Sequence, residues 1–210
     1  MCGILYTNKD LSKINLDYVL EFLKKRGPDS TNVKNIKDHT FVHTLLSMTG
    51  PVTEQPFYNN NESVICIFNG EIYNFEDFGD YKSDGECLIP LYEKYGNDFI
   101  SHLDGEFAIV LVDFNENKLI YSSDIFGTRP IWIGFDNKDF GISTYKSCLD
   151  RIGLVNNYQV LANKTIIMDL KSVKIIEEKR VHTFDLNQHK TNFDDWVIAF
   201  EKSIEKRTKY

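Results

Sequence analysis

The sequence is short of several features that would settle its class at once. No apolar run reaches the roughly twenty residues that a membrane-spanning helix needs, so a span of that kind is excluded. The N-terminus has no basic segment followed by an apolar core, because Asn8, Lys9, Asp10 and Ser12 interrupt it at once. This predicts a protein that stays in the cytoplasm. Basic residues are outnumbered, 24 Lys and Arg against 31 Asp and Glu, for a formal net charge of −7. The lysines are scattered and form no stripe that could neutralise phosphates, which excludes nucleic acid as a partner. Cysteine is scarce: Cys2, Cys66, Cys87 and Cys148 lie far apart without a Cys-x-x-Cys pair, so neither a disulfide framework nor a zinc site is expected. Internal repeats and low-complexity linkers are also lacking.

What is present is the composition of an ordinary globular domain. Of 210 residues, 42% are apolar and 26% charged, enough for one large domain with a substantial core. The run from Cys2 to Thr7 predicts a short buried strand. In INLDYVLEFLKKRGPD, Leu16, Val19, Leu20 and Leu23 recur at helical spacing, Asn15 can cap the start, and Gly27 with Pro28 stops it. FVHTLLSM, SVICIFNGEIY, EFAIVLVDF and KLIYSSD read as strands, the last two joined into a hairpin by the Asn-Glu-Asn turn. From Ser83 to Tyr95 the residues Cys87, Leu88, Leu91, Tyr92 and Tyr95 fit a helical face, which Pro90 is expected to kink or shorten. IWIGF, YQVLAN, TIIMDL and SVKII predict a second sheet. Phe193, Trp196, Val197, Phe200 and Ile204 make an amphipathic closing helix, expected to pack on the chain's own sheet or else on a partner.

The position of Cys2 is the first chemical signal. With Met1 removed, this residue would carry both a thiol and a free α-amine, whose ordinary pKa values of about 8.5 and about 7.7–8.0 let the amine accept the thiol proton. Nucleophile and base would then share one residue. FNGEIYN offers oxyanion donors, the Asn69 side-chain amide and the Gly70 backbone N–H, although a strand ending in an Asn-Gly turn explains the same letters. Asp84 stands where a helix begins and reads either as a cap or as a partner for a substrate ammonium group. LDGE at 103–106 repeats the tripeptide of SDGE at 83–86 but runs into a strand, and reads as a turn. His39 and His43 are four apart on a predicted strand with no third ligand nearby, which argues against a metal site. Asp84 and Glu86 form a carboxylate pair of the kind glycosidases use, with nothing else to support that chemistry.

Taken in order, MCGI, RGPD, EQPFYN, NGEIYN, SDGE, DGEFAIVLVD and FGTRPIW resemble the class II glutamine amidotransferases, in particular the glutaminase domains of the asparagine synthetase family. The resemblance runs nearly end to end. It implies an α+β fold of the N-terminal nucleophile hydrolase type, a four-layer αββα sandwich of two antiparallel sheets between helices. It implies cleavage of glutamine to glutamate and ammonia through a thioester, with no cofactor and no metal. By motif, Cys2, Asn69 and Gly70 match catalytic positions, and Met48, Thr49, Asn69, Gly70, Glu71 and Asp84 match glutamine-binding ones.

Two positions depart from the pattern. Leu45 stands where the family has an arginine for the glutamine α-carboxylate, leaving backbone N–H groups of Ser47, Met48 and Thr49 as substitutes. Ser123-Asp124 replaces an Arg-Asp pair, with Arg129 nearby in sequence. The Ser-Gly-Gly-x-Asp-Ser loop of an ATP-binding synthetase region is absent from these 210 residues. The expected organisation is therefore a glutaminase domain over 1–190 and a helical segment over 191–210 resembling the approach to such a region, in a split subunit or shortened relative. The implied partner is an ATP-dependent synthetase domain or subunit that accepts ammonia. The Leu45 replacement keeps two alternatives open: a binding or regulatory domain without useful turnover, and a cysteine hydrolase for another amide.

Overall fold

In a computed structural model, residues 1–48, 51–185 and 192–208 are described. The chain runs through β1 (Gly3–Thr7), α1 (Leu16–Arg26), β2 (Ser30–Ile36), β3 (His39–Leu45), β4 (Phe57–Tyr58) and β5 (Val64–Ile72). A 3₁₀ turn, Asp84–Cys87, leads into α2 (Leu88–Tyr95), and β6 (Gly105–Asp113), β7 (Lys118–Ser123), β8 (Trp132–Asp136) and β9 (Asp139–Ser143) follow. The remainder is α3 (Lys146–Arg151), β10 (Asn156–Gln159), β11 (Lys164–Asp169), β12 (Lys174–Lys179) and α4 (Asp194–Thr208).

Among the described residues the strands form two six-stranded sheets. One has the order β10-β8-β9-β1-β3-β2 and the other β12-β11-β7-β6-β5-β4. The two-residue period of a strand decides which side of each sheet is covered by what. In β1, Ile4 and Tyr6 point into the core between the sheets, while Leu5 faces the helical layer with Val19, Leu20 and Leu23 of α1 and Cys148 and Leu149 of α3. In β5 and β6, Ile65, Ile67, Ala108 and Val110 join the inter-sheet core. Their alternates Cys66, Phe68, Ile109 and Leu111 meet Leu88, Leu91 and Tyr92 of α2. Both faces of the central strands of each sheet are thus buried, and the layers stack α, β, β, α.

The signals that shape α1 act as expected. The Asn15 side chain accepts a 3.2 Å hydrogen bond from Tyr18 N–H, a cap typically worth about 1 kcal/mol. Lys24, Lys25 and Arg26 complement the negative end of the helix. At Gly27 a Cβ would lie 2.2 Å from the Thr44 carbonyl oxygen, so only glycine lets the helix end press against the backbone of β3.

Several expectations are corrected. The stretch from Ser83 to Tyr95 is not one kinked helix: a 3₁₀ turn precedes α2, and Pro90 sits in the first turn of α2, where its missing N–H has no intrahelical partner to lose. The strands after residue 130 do not make a sheet of their own. β8 and β10 extend the β1 sheet, while β11 and β12 extend the β7 sheet. The closing helix does not pack on the sheet, because none of the residues of α4 is buried and Trp196 remains 73% exposed. Among the attachments of its last turn are Lys206 to Asp104, and Arg207 to Glu106 at 3.2 Å with its guanidinium 5.1 Å from the Tyr73 ring centroid.

Candidate active site

One end of the sandwich gathers the segments that the motifs single out. Gly3 is in register with Thr44, so Cys2, just before β1, lies beside the end of β3. Leu46 N–H donates to the Cys2 sulfur at 3.5 Å, and Arg26 Nε donates to the Cys2 carbonyl oxygen at 2.6 Å. From the other sheet the end of β5 supplies Asn69, Gly70 and Glu71. Gly70 pairs with Phe107, and a Cβ at Gly70 would come within 2.0 Å of the Glu106 carbonyl oxygen. The glycine is therefore required by the close approach of β6, a reason different from the ligand access expected of it.

Two cavities meet at Cys2. A narrow cleft of about 90 Å³ is lined by Cys2, Leu45, Met48, Phe68, Glu71 and Asp84 among others. A wider cavity of about 270 Å³ is lined by Cys2, Asn69, Gly70, Glu71, Tyr73 and Arg129, with Lys206 and Arg207 of α4 at its edge. Cys2, Leu46, Met48, Gly70 and Glu71 border both. Asn69 is 1% exposed, and its side-chain nitrogen is buried without a hydrogen-bond partner.

The charges around the cleft are uncomfortable in the resting site. Burial pushes the Cys2 thiol up from its ordinary pKa; Leu46 N–H opposes this, while Glu71 and Asp84 add to it. Burial also raises Glu71, reinforced by Asp84. Asp84 is raised by burial against the hydrogen bonds it accepts, at 2.8 Å from Ile72 N–H and 2.8 Å from Gly85 N–H. The first of these ties the 3₁₀ turn to β5, the second lies within the turn, and together they hold the carboxylate at the cleft. The α-amine of Met1 is lowered from 8.0, chiefly by burial and further by Arg26 and Arg129.

The sequence-derived candidates Cys2, Asn69, Gly70, Met48, Glu71 and Asp84 converge here, whereas Thr49 lies outside the described residues. Ser47 N–H, one expected carboxylate donor, is already donated to Asp29 Oδ2 at 2.7 Å. The carboxylate pair separates: Asp84 lines the cleft, while Glu86 accepts from Lys82 N–H and faces a recess of about 470 Å³ with Phe57 and Glu93. Among the described residues no group of three His, Cys, Asp or Glu could hold a metal ion. His39 Nδ1 sits 2.9 Å from the Tyr6 hydroxyl, and His43 is buried in the sheet. Sequence reasoning missed Gln55, whose Oε1 accepts from Phe68 N–H at 2.7 Å and shapes the cleft floor, and Tyr73 at the wider cavity.

The profile of the glutamine amidotransferase domain matches residues 1–185. The chain belongs to this family. Similar curated relatives are asparagine synthetase [glutamine-hydrolyzing] from Asparagus officinalis, 38% identical over 149 residues, and asparagine synthetase [glutamine-hydrolyzing] 2 from Oryza sativa subsp. japonica, 35% identical. Each alignment covers 64% of this chain and 25% of the relative, so the chain spans about a quarter of their length. Among solved structures, glutamine phosphoribosylpyrophosphate amidotransferase from B. subtilis aligns with a TM-score of 0.57 at 18% identity, covering 87% of this chain and 43% of that one. The allosteric regulatory enzyme of purine biosynthesis gives 0.59 at 15%, again covering 87% and 43%. The αββα layering is therefore that of the N-terminal nucleophile hydrolase fold, as the motifs implied.

Within this amidotransferase domain the structure accounts for Asp124 but not for Ser123, which stands in place of the arginine and whose hydroxyl is buried without a hydrogen-bond partner among the described residues. Asp124 is buried and organises the following loop by accepting from Phe107, Phe126 and Thr128 N–H and from the Thr128 hydroxyl. Arg129, delivered by that loop to the wider cavity, pairs with Glu106 at 3.4 Å.

Proposed function

We propose that the protein hydrolyses the side-chain amide of glutamine to give glutamate and ammonia, with Cys2 as nucleophile. The observation that carries this reading is Asn69, a buried carboxamide nitrogen without a partner, lining the same cavity as Cys2. An unsatisfied buried donor costs about 1–3 kcal/mol, and a developing oxyanion is the acceptor that would offset it.

The chemistry follows from the local charges. A thiol raised by burial needs a base, and removal of Met1 would give Cys2 an α-amine of its own in surroundings that lower an amine toward neutrality. That amine takes the thiol proton as sulfur attacks the amide carbon. Asn69 and the Gly70 N–H donate to the oxyanion. The C–N bond breaks, the amine returns its proton to the leaving ammonia, and a thioester remains on Cys2. Water, activated by the same amine, then releases glutamate. Glu71 and Asp84 hold the substrate ammonium, with Met48 on the same cleft.

The ammonia acceptor in this reading is an ATP-dependent synthetase domain or subunit. Support comes from longer relatives, of which the alignment covers 25%, that are named glutamine-hydrolyzing asparagine synthetases. Residues 1–190 then form the hydrolytic domain and 191–210 a segment whose exposed Phe193, Trp196, Val197 and Phe200 meet that partner. Leu45 at the cleft favours a second reading, hydrolysis of a different amide, and Asn69, Gly70 and Asp84 standing together argue against a domain without turnover. Ammonia release from glutamine by the purified protein, with and without a candidate synthetase, tests the proposal. Release that rises with the synthetase is expected, and no release in either case would overturn it.

A further inference from the structure

The cleft beside Cys2 carries charge of one sign. Glu71 and Asp84 both line it, and among its described lining residues there is no Lys, Arg or His. The rest of the wall is apolar or neutral, with Leu45, Leu46, Met48 and Phe68 as its larger side chains.

Among the described residues the cations nearest Cys2 stand outside the lining of this cleft, although Arg129 and the N-terminal amine act on Glu71 from the wider cavity and oppose the effect of its burial. Arg26 donates to the Cys2 carbonyl oxygen and, at 3.5 Å, to the Tyr145 hydroxyl. Arg129 borders the wider cavity and pairs with Glu106, which also receives Arg207. Lys206 pairs with Asp104. The Ser47 N–H, a neutral donor at the cleft, is spent on Asp29. Two half-buried carboxylates so placed are relieved by a bound cation and strained further by a bound anion.

We propose that the cleft selects carboxamide substrates bearing a free ammonium group and no free α-carboxylate, such as a glutamine whose α-carboxyl is in amide linkage. This rests on the reading of Cys2 as attacking a side-chain amide. The reaction is unchanged: the C–N bond of the terminal carboxamide breaks, water supplies the hydroxyl of the new acid, ammonia leaves, and the α-substituent is untouched.

Four compounds separate the two ends of the substrate: L-glutamine, its α-N-methylamide, N-acetyl-L-glutamine, and N-acetyl-L-glutamine α-N-methylamide. Ammonia release is followed at neutral pH on protein whose intact mass shows Met1 removed. The α-N-methylamide is expected to exceed L-glutamine in kcat/KM by roughly tenfold or more, and each N-acetyl compound to fall roughly tenfold or more below its free-amine counterpart. Leu45→Arg, or Thr53→Lys if that variant fails to fold, should shift the preference back toward L-glutamine by a similar factor. L-glutamine equal to or better than the α-N-methylamide in the unmodified protein overturns the inference and leaves amide hydrolysis standing. No ammonia from any of the four overturns the hydrolysis itself.

Discussion

The Nε of Arg26 donates a 2.6 Å hydrogen bond to the carbonyl oxygen of Cys2, joining the last residue of α1 to the residue just before β1. The same guanidinium lies 5.7 Å from the Tyr145 ring centroid, so a helix end and an aromatic ring together fix the peptide that carries the thiol. Arg26 is a positioning residue in this arrangement. Arg26→Lys keeps the charge but loses the planar fork, and should lower kcat by roughly tenfold with KM within a few-fold. Steady-state kinetics beside a melting curve check this. A proportional loss of Tm and activity would point to a merely structural role.

Asn69 and Asp84 should separate cleanly in kinetics. Losing one oxyanion donor typically costs roughly 10² or more in kcat, so Asn69→Ala is expected to act there with a smaller effect on KM. The ammonium contact assigned to Asp84 is already made in the ground state, and Asp84→Ala should act mainly on KM. The reverse pattern would exchange their roles.

His43 gives the fold an acid limit. Burial lowers it from 6.5 to about 4, so between those values the unfolded state binds more protons than the native one. Stability contributed by the neutral ring is present above 6.5 and lost as pH falls toward 4, a loss on the order of 3 kcal/mol. Glu71 and Asp84, raised in the fold, act with the opposite sign, so the comparison is between variants. Denaturant titrations of His43→Leu should show a flatter decline over that range than the parent protein. Equal slopes would contradict the assignment.

The sequence was most legible where local signals and burial coincide. Asn15 capping α1, the Asn-Glu-Asn turn joining β6 to β7, and the continuous apolar runs of strands buried on both faces were readable because each rests on neighbours in the sequence. β2 escaped because STNVKNI is a half-exposed edge strand dominated by polar residues. The division of β8 and β10 from β11 and β12 escaped because pairing partners are not encoded within a strand. At the site, Cys2, Asn69, Gly70, Glu71 and Asp84 stood out as motifs. Gln55, Tyr73 and the pairing of Arg129 with Glu106 did not, since only folding brings these segments together.

α4 should be dispensable for folding. None of its described residues is buried, and the ion pairs of its last turn with Asp104 and Glu106 are surface pairs of a kind that contributes little stability. Deleting residues 191–210 is expected to change Tm by no more than about 2 °C in a domain of this size, read by differential scanning calorimetry. A much larger fall would mean that the apolar face of α4 packs on the domain.

The most direct measurement is ammonia release by protein whose intact mass shows Met1 removed, compared among Cys2→Ala, Cys66→Ser, Cys87→Ser and Cys148→Ser. Cys66, Cys87 and Cys148 are buried, and burial raises their thiols, that of Cys87 to about 12. Their variants should lose stability and keep activity, whereas Cys2→Ala should release no ammonia above background. Undiminished release by Cys2→Ala, or full activity in protein that retains Met1, would contradict the account.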